Sequence, residues 1–222
     1  MSLVLAEERH EVVAFCHRML ADNLVVGTSG NISVRRGDLI AVSPSGLAYE
    51  ELTPELVGVH RCEDGVAVDA TLPPTSELPM HLRAYADTGA GAVVHTHSTA
   101  ATAVSTLVEE LPNLHYLVAM FHGPVRVAPY ATYGTQALAD SMAEALAGRT
   151  GCLLGNHGAL TIGDTLAQAY SRAQYLEWLC QVWLLARSAG QPRLLDPAEI
   201  DLVVGKLASY GTVSSAATPG SA

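Results

Sequence analysis

The chain has 222 residues, 49% of them hydrophobic and 15% charged, with a formal net charge of -10. That is enough for one large core and too little for two generous ones, and the acidic balance excludes a general nucleic-acid surface, which clustered Lys and Arg would have to supply. With no run approaching the roughly 18 apolar residues of a membrane span, acidic Glu7 and Glu8 near the start in place of a basic stretch, and scattered Cys16, Cys62, Cys152 and Cys180, a soluble cytoplasmic protein is expected.

In chain order, residues 3–22 place Leu5, Val12, Phe15, Cys16, Met19 and Leu20 near one face of a 3.6-residue period, which predicts an amphipathic helix. Two short strands are predicted at 31–35 and 38–42 around Arg36-Gly37, a hairpin signal. Thr53-Pro54-Glu55 has the form of a cap, a first helical position and an acidic first turn, and predicts a helix start. A helix is predicted at 75–87, with Pro79 confined to its early turns. Residues 92–95, bounded by Gly91, predict a buried strand leading into a helix through the Ser/Thr/Ala segment that follows. Further strands are predicted at 125–128, 152–154 and 159–162, and helices at 136–147, 166–186 and 197–209. No repeat is visible, so a single domain over 1–211 with a disordered tail at 212–222 is expected. The mix predicts an α/β fold, a sheet covered by helices that contains antiparallel pairs.

The chain holds a single lysine, Lys206, in a helical context near its end. Schiff-base chemistry therefore has almost nowhere to occur, and carbanion chemistry would need a metal. Val93-Val94-His95-Thr96-His97-Ser98 carries two histidines two residues apart, which on an extended segment point to the same side. His157 lies in Gly155-Asn156-His157-Gly158, where flanking glycines permit close approach. Any one of these histidines alone would be read as a core imidazole satisfied by hydrogen bonds. Three neutral imidazoles with an open fourth position suit a catalytic zinc site.

Gly27-Thr28-Ser29-Gly30-Asn31 and Ser43-Pro44-Ser45-Gly46 are small-residue loops with hydroxyls and exposed amides, a composition that can cradle an anion without net positive charge. Such turns are also commonplace, and Thr75-Ser76-Glu77 could be a plain capping motif.

Taken together and in order, these two loops with the following Ile32-Ser33-Val34-Arg35, Thr75-Ser76-Glu77, His95-Thr96-His97 and Asn156-His157-Gly158 resemble the class II aldolase and adducin family. The later stretches Leu114-His115-Tyr116, 128–134 and Ser209-Tyr210-Gly211 belong to the same pattern, so the likeness runs from about residue 5 to 211. The resemblance implies a three-layer α/β/α domain around a mainly antiparallel sheet, assembled as a ring-like homotetramer with active sites between subunits. It implies one zinc ion per subunit on His95, His97 and His157, a phosphate cradled by Asn31, Ser45, Gly46, Ser76, Thr28 and Thr75 with Gly30 in the same loop, and Glu77 as the base that also occupies the metal when substrate is absent. Tyr116, reaching over from a neighbouring subunit, is implied as the aldehyde's proton donor and Tyr210 as a helper.

The implied reaction is reversible cleavage of a ketose 1-phosphate, L-fuculose 1-phosphate or a similar one, to dihydroxyacetone phosphate and an aldehyde. Three other activities or roles share the pattern. A pentulose-5-phosphate 4-epimerase carries Asp where Glu77 stands and a different continuation from Ser98-Thr99-Ala100-Ala101-Thr102. A methylthioribulose-1-phosphate dehydratase keeps the Glu and the ligands but lacks His115-Tyr116 in this context. A non-catalytic adducin-type scaffold would not need the three histidines and Glu77. Phe121-His122-Gly123 stands where close relatives often have small residues, which leaves the sugar itself open. His10, His17, His60, His81 and His122 have no arranged partners in the sequence and are expected at the surface or in packing, with Trp178 and Trp183 as core or subunit contacts.

Overall fold

The computed structural model describes residues 3–209. Its strands are β1 (Asn31–Arg36), β2 (Leu39–Val42), β3 (Gly58–Arg61), β4 (Ala67–Asp69), β5 (Ala92–Thr96), β6 (Glu110–Leu111), β7 (Val125–Ala128), β8 (Gly151–Leu154) and β9 (Gly158–Gly163). Its helices are α1 (Ala6–Ala21), α2 (Leu78–Thr88), α3 (Thr99–Ser105), α4 (Gln136–Leu146), α5 (Leu166–Ala189) and α6 (Pro197–Ser209). All nine strands join one sheet in the order β4-β3-β2-β1-β5-β9-β8-β7-β6.

β5 lies inside that sheet and is buried along its whole length, which accounts for its apolar sequence: a strand covered on both faces does not alternate. Ala92 and Val94 pack with Val12 and Met19 of α1 and Ala169 and Tyr170 of α5. Val93 points the other way, into a core with Met80 and Ala84 of α2 and Met142 of α4. Beside the first face, Val104 of α3, Leu176 and Trp183 of α5, and Leu153 and Ala159 of the sheet close a third cluster. Burying each such Val or Leu contributes about 1.5–3 kcal/mol, so the sheet is held between two helical layers.

The expectation of a mainly antiparallel sheet needs an amendment, because the sheet is mixed. β7 runs parallel to β8, while the other neighbouring pairs are antiparallel. The cause is α4, which lies between β7 and β8 in the chain and supplies the crossover that a parallel pair needs.

A second correction concerns Thr53-Pro54-Glu55. No helix starts there; residues 54–56 form a turn closed by the Leu56 N–H on the Thr53 carbonyl at 3.0 Å. The carbonyls that would open a helix are already engaged. Buried Arg9 of α1 donates to the carbonyl of Pro54 at 3.1 Å and to that of Val57, and reaches both the carbonyl and the carboxylate of Asp69. One guanidinium thus ties α1 to the β3–β4 edge. The predicted helix at 75–87 begins later, at Leu78, with Pro79 in its first turn where its missing N–H is harmless. Strands β3 and β4, like β6, were not legible as strands in the sequence; β4 is half exposed and three residues long. Tyr210 and the tail at 212–222 lie outside the described residues.

Candidate metal centre and active-site cavity

Register brings the site together. β1 pairs with β5 so that Asn31 faces His95 and Ser33 faces Val93, and the alternation of β1 then sends Ile32 and Val34 to the α1/α5 core while Asn31 and Ser33 face α2. His95 is the penultimate residue of β5, and His97 follows its last. The turn between β8 and β9 delivers His157, with Asn156 in the left-handed region at φ 55, a conformation Asn tolerates better than most residues. Gly158 makes this possible: a Cβ there would stand 2.1 Å from the Thr96 carbonyl, so only glycine lets the turn lie against the end of β5. Glu77 occupies the residue just before α2.

The ligating atoms of Glu77, His95, His97 and His157 all lie within 4.8 Å of one another. The three imidazoles stand edge to face around a common centre, with centroids 4.7 to 4.9 Å apart. His95 Nε2 is 3.0 Å from Glu77 Oε2 and 2.9 Å from His97 Nε2, and His157 Nε2 is 3.2 Å from Glu77 Oε1. Burial acts to raise the Glu77 carboxyl, but His95 and His157 outweigh it and hold it well below the usual carboxylate range. Burial acts to lower His95, and Glu77 outweighs that, so the ring is raised. His97 is pushed down to about 3, by burial and then by its two histidine neighbours.

The residues fit a metal ion. His95 Nδ1 is 2.9 Å from the Ala159 carbonyl, which can only accept, so Nδ1 carries a proton, and Nε2 presents a lone pair whenever a metal ion takes the place of a second proton on the ring. That lone pair faces a carboxylate oxygen and another imidazole nitrogen. Glu77 Oε1 is buried and has no hydrogen-bond donor. Acceptors converging in this way repel one another unless a cation stands between them, and three imidazoles with one carboxylate form a donor set suited to a divalent ion.

The centre opens into a cavity of about 310 Å³ whose lining includes Thr28, Gly30, Asn31, Ser45, Gly46, Thr75, Ser76, Glu77, His97 and His157. Fully buried His95 stands behind this wall. No Lys or Arg lines the cavity among the described residues; the polar groups on offer are hydroxyls, amides and the Thr75-Ser76-Glu77 segment that leads into α2. Gly30, at φ 75, has no room for a Cβ, which would meet Val25 Cγ1 at 2.6 Å and the His95 carbonyl at 2.8 Å. Tyr49 pins the same loop by donating to the Gly30 carbonyl at 2.6 Å.

Two expected residues stand apart from the cavity of a single chain or beyond the described residues. Tyr116 begins a 3-10 turn (Tyr116–Phe121), is half exposed and lies outside this chain's cavity, and Tyr210 falls outside the described residues. Sequence reasoning also missed some. Tyr130, Tyr133 and Asn156 line the cavity, although their stretches had been singled out without a role for them. His81, expected at the surface or in simple packing, is fully buried and bonded through Nε2 to Asn31 Oδ1 at 2.5 Å. Its signal was the four-residue step from Glu77.

The family model described as "Class II Aldolase and Adducin N-terminal domain" matches residues 10–184. The chain belongs to that family. Among its relatives, a 5-deoxy-D-ribulose 1-phosphate aldolase of Bacillus thuringiensis serovar kurstaki is 40% identical over 213 residues, 94% of this chain and 99% of the relative. A 5-methylthioribulose-1-phosphate/5-deoxyribulose-1-phosphate aldolase of Rhodospirillum rubrum is 33% identical over 95% of this chain and 96% of its own length. Among solved structures, an L-fuculose 1-phosphate aldolase superposes with a TM-score of 0.90 at 33% identity, covering 93% of this chain and 98% of its own. Together with the Glu/His cluster, these relatives make the chain a metal-dependent class II aldolase. No helix among the described residues is long and apolar enough to cross a membrane.

Proposed function

We propose that this class II aldolase uses zinc, one ion per subunit on His95, His97 and His157, to cleave a ketose 1-phosphate reversibly to dihydroxyacetone phosphate and a short aldehyde. The observation that carries the proposal is the Glu/His cluster at the wall of a hydroxyl- and amide-lined cavity with no lysine in reach. Lys206 is exposed on α6, outside that cavity. An ion so held supplies positive charge for the substrate oxygens that become negative as the C3–C4 bond breaks. Asn31, Ser45, Gly46, Thr75 and Ser76, with Thr28 and Gly30, hold the phosphate and thereby fix the reacting carbons. Glu77, a metal ligand before substrate arrives, moves the proton at the carbon of the dihydroxyacetone half.

The hydroxyl on the aldehyde half needs a second proton carrier. Tyr116 of a neighbouring subunit fits that role in a homotetramer with sites between subunits: it is exposed and stands apart from its own chain's cavity. Tyr210 assists. The assembly acts in the cytoplasm on a small phosphorylated sugar.

On the substrate, the relatives favour a deoxy ketose. Fuculose phosphate, deoxyribulose phosphate and methylthioribulose phosphate, named for the three proteins above, share the 1-phosphate and a far end without an ionisable group. The Rhodospirillum rubrum relative's name also supports aldol cleavage over dehydration for a methylthioribulose phosphate. The test is to incubate the zinc-loaded protein with L-fuculose, 5-deoxyribulose and methylthioribulose 1-phosphates and assay dihydroxyacetone phosphate. Its release from at least one is expected; loss of water or epimerisation without release overturns the proposal.

A further inference from the structure

We infer that His81 is a positioning residue for Glu77, acting through Asn31 at one end of a buried hydrogen-bonded ladder between β1 and α2. The inference rests on reading Glu77 as the group that moves the proton. Glu77 just before α2, and His81 and Tyr85 on one face of it, follow one another at four-residue steps, and Asn31 and Ser33 at the two-residue step of β1 face them. The contacts run without a gap. Asn31 Nδ2 donates to Glu77 Oε2 at 3.0 Å, His81 Nε2 is 2.5 Å from Asn31 Oδ1, His81 Nδ1 is 2.6 Å from Ser33 Oγ, and Ser33 Oγ is 2.6 Å from the Tyr85 hydroxyl. All five residues are buried.

The direction of every proton follows from one end. A carboxylate only accepts, so Asn31 must turn its NH₂ to Glu77 and its carbonyl to His81. That carbonyl also only accepts, so His81 carries its proton on Nε2. Burial is the main cause that pushes His81 down to about 3, and His95 adds to it. The ring is therefore neutral, and its Nδ1 is an acceptor. Ser33 must then donate to Nδ1 and take the Tyr85 proton in turn. Each donor points towards Glu77, and none can reverse without setting two acceptors or two donors against each other in a dry interior.

The consequence for the site is orientational. Glu77 has one oxygen with a neutral donor and one without, so Asn31 decides which oxygen is restrained and which is left for the metal or a proton. An amide flip at Asn31 would aim its carbonyl at the carboxylate, and the His81 Nε2–H opposes the flip from the other end, adding to the repulsion by the carboxylate itself. His81 thus touches no substrate, yet it sets the placement of the group that does.

The test compares His81→Leu, which removes the donor, with His81→Gln, whose amide NH₂ can stand in for Nε2–H. With dihydroxyacetone phosphate release as the assay, His81→Leu is expected to lose about 10- to 100-fold in kcat with KM within about threefold, and His81→Gln to recover most of it. The zinc content of both should match the parent. A purely structural role predicts equal losses in the two variants and a fall in zinc; that pattern, or an unaltered kcat in His81→Leu, overturns the inference. Should His81→Leu fail to fold, long-range ¹H–¹⁵N NMR of histidine-labelled parent protein decides, since the ladder requires the neutral Nε2–H tautomer at His81 and the Nδ1–H tautomer contradicts it. A Glu77→Gln variant that turns over normally would overturn the role of Glu77 instead, and leaves the tautomer result as a separate reading of the ladder.

Discussion

The ring of His95 is held by the backbone of Ala159, whose carbonyl on the neighbouring strand takes the Nδ1 proton at 2.9 Å. Since β5 and β9 are paired in register through His95 and Leu160, the sheet itself fixes the tautomer that leaves Nε2 for a metal. The centre is thus oriented before any ion arrives, and His157 completes it from the next turn. Removing His157 should therefore take the metal away: His157→Ala is expected to lose bound zinc and cleavage together, as read by metal analysis of the dialysed protein. Chelation of the parent should abolish activity and zinc should restore it, and borohydride with substrate should trap no adduct.

On the proposed function, the phosphate side divides into residues with one role and a residue with two. Ser76→Ala should chiefly raise KM or lower kcat/KM, by about 1.5–3 kcal/mol for a lost hydrogen bond to a dianion. Asn31 lines the same cavity but also restrains Glu77, so Asn31→Ala should lower kcat as well. Steady-state kinetics of the two variants on one substrate distinguish them; equal effects confined to KM would remove the link between Asn31 and Glu77.

Stability should fall on acidification through His81. In the unfolded chain this imidazole titrates near its ordinary value of 6.5, whereas burial lowers it to about 3 in the fold. Between those limits the unfolded state binds more protons, so stability rises with pH and is lost as pH falls from 6.5 towards 3, by up to about 1.4 kcal/mol per pH unit. Denaturant melts of metal-free protein at pH 7, 6 and 5 should show this loss, and His81→Gln should make it shallower, with His97, also lowered to about 3, left to contribute. A slope unchanged in His81→Gln would assign the loss to other groups.

Far from the centre, Arg9 is a purely structural test. It is buried to 1% exposure and serves carbonyls of the 53–57 turn and Asp69, so Arg9→Met leaves those acceptors without their donor. It should cost roughly 1–3 kcal/mol of stability for buried carbonyls left without a donor, seen as a lower denaturation midpoint with near-parent kcat in the folded fraction.

Much of the site was legible because strand spacing and loop chemistry are local. His95 and His97 at a two-residue step, the hydroxyl-rich loops and the glycine-flanked His157 each announce themselves within a few residues. What was hidden depends on pairing across the sheet. That Asn31 stands opposite His95 follows from the β1–β5 register, and only that register turns the Glu77, His81, Tyr85 steps into a ladder instead of an ordinary helix face. The fold shows the same split: long helices and the central strand carry their own periodicity, while β4 and β6, of three and two residues, exist because a neighbouring strand offers an edge. The Thr53-Pro54-Glu55 signal failed for a similar reason, since Arg9, forty-five residues before Pro54 in sequence, takes the carbonyls a helix would use.

The central claim is that an ion-holding triad and a proton-moving carboxylate are separable parts of one centre. Glu77→Gln keeps the side chain's size but removes its ability to take a proton, while His95, His97 and His157 remain to hold the ion. Measuring zinc per subunit and dihydroxyacetone phosphate release on the same preparation tests this directly: zinc should stay bound and turnover should fall by roughly 10²- to 10⁴-fold. Near-normal release from Glu77→Gln would contradict the account, leaving Glu77 as a ligand or helix-start residue only.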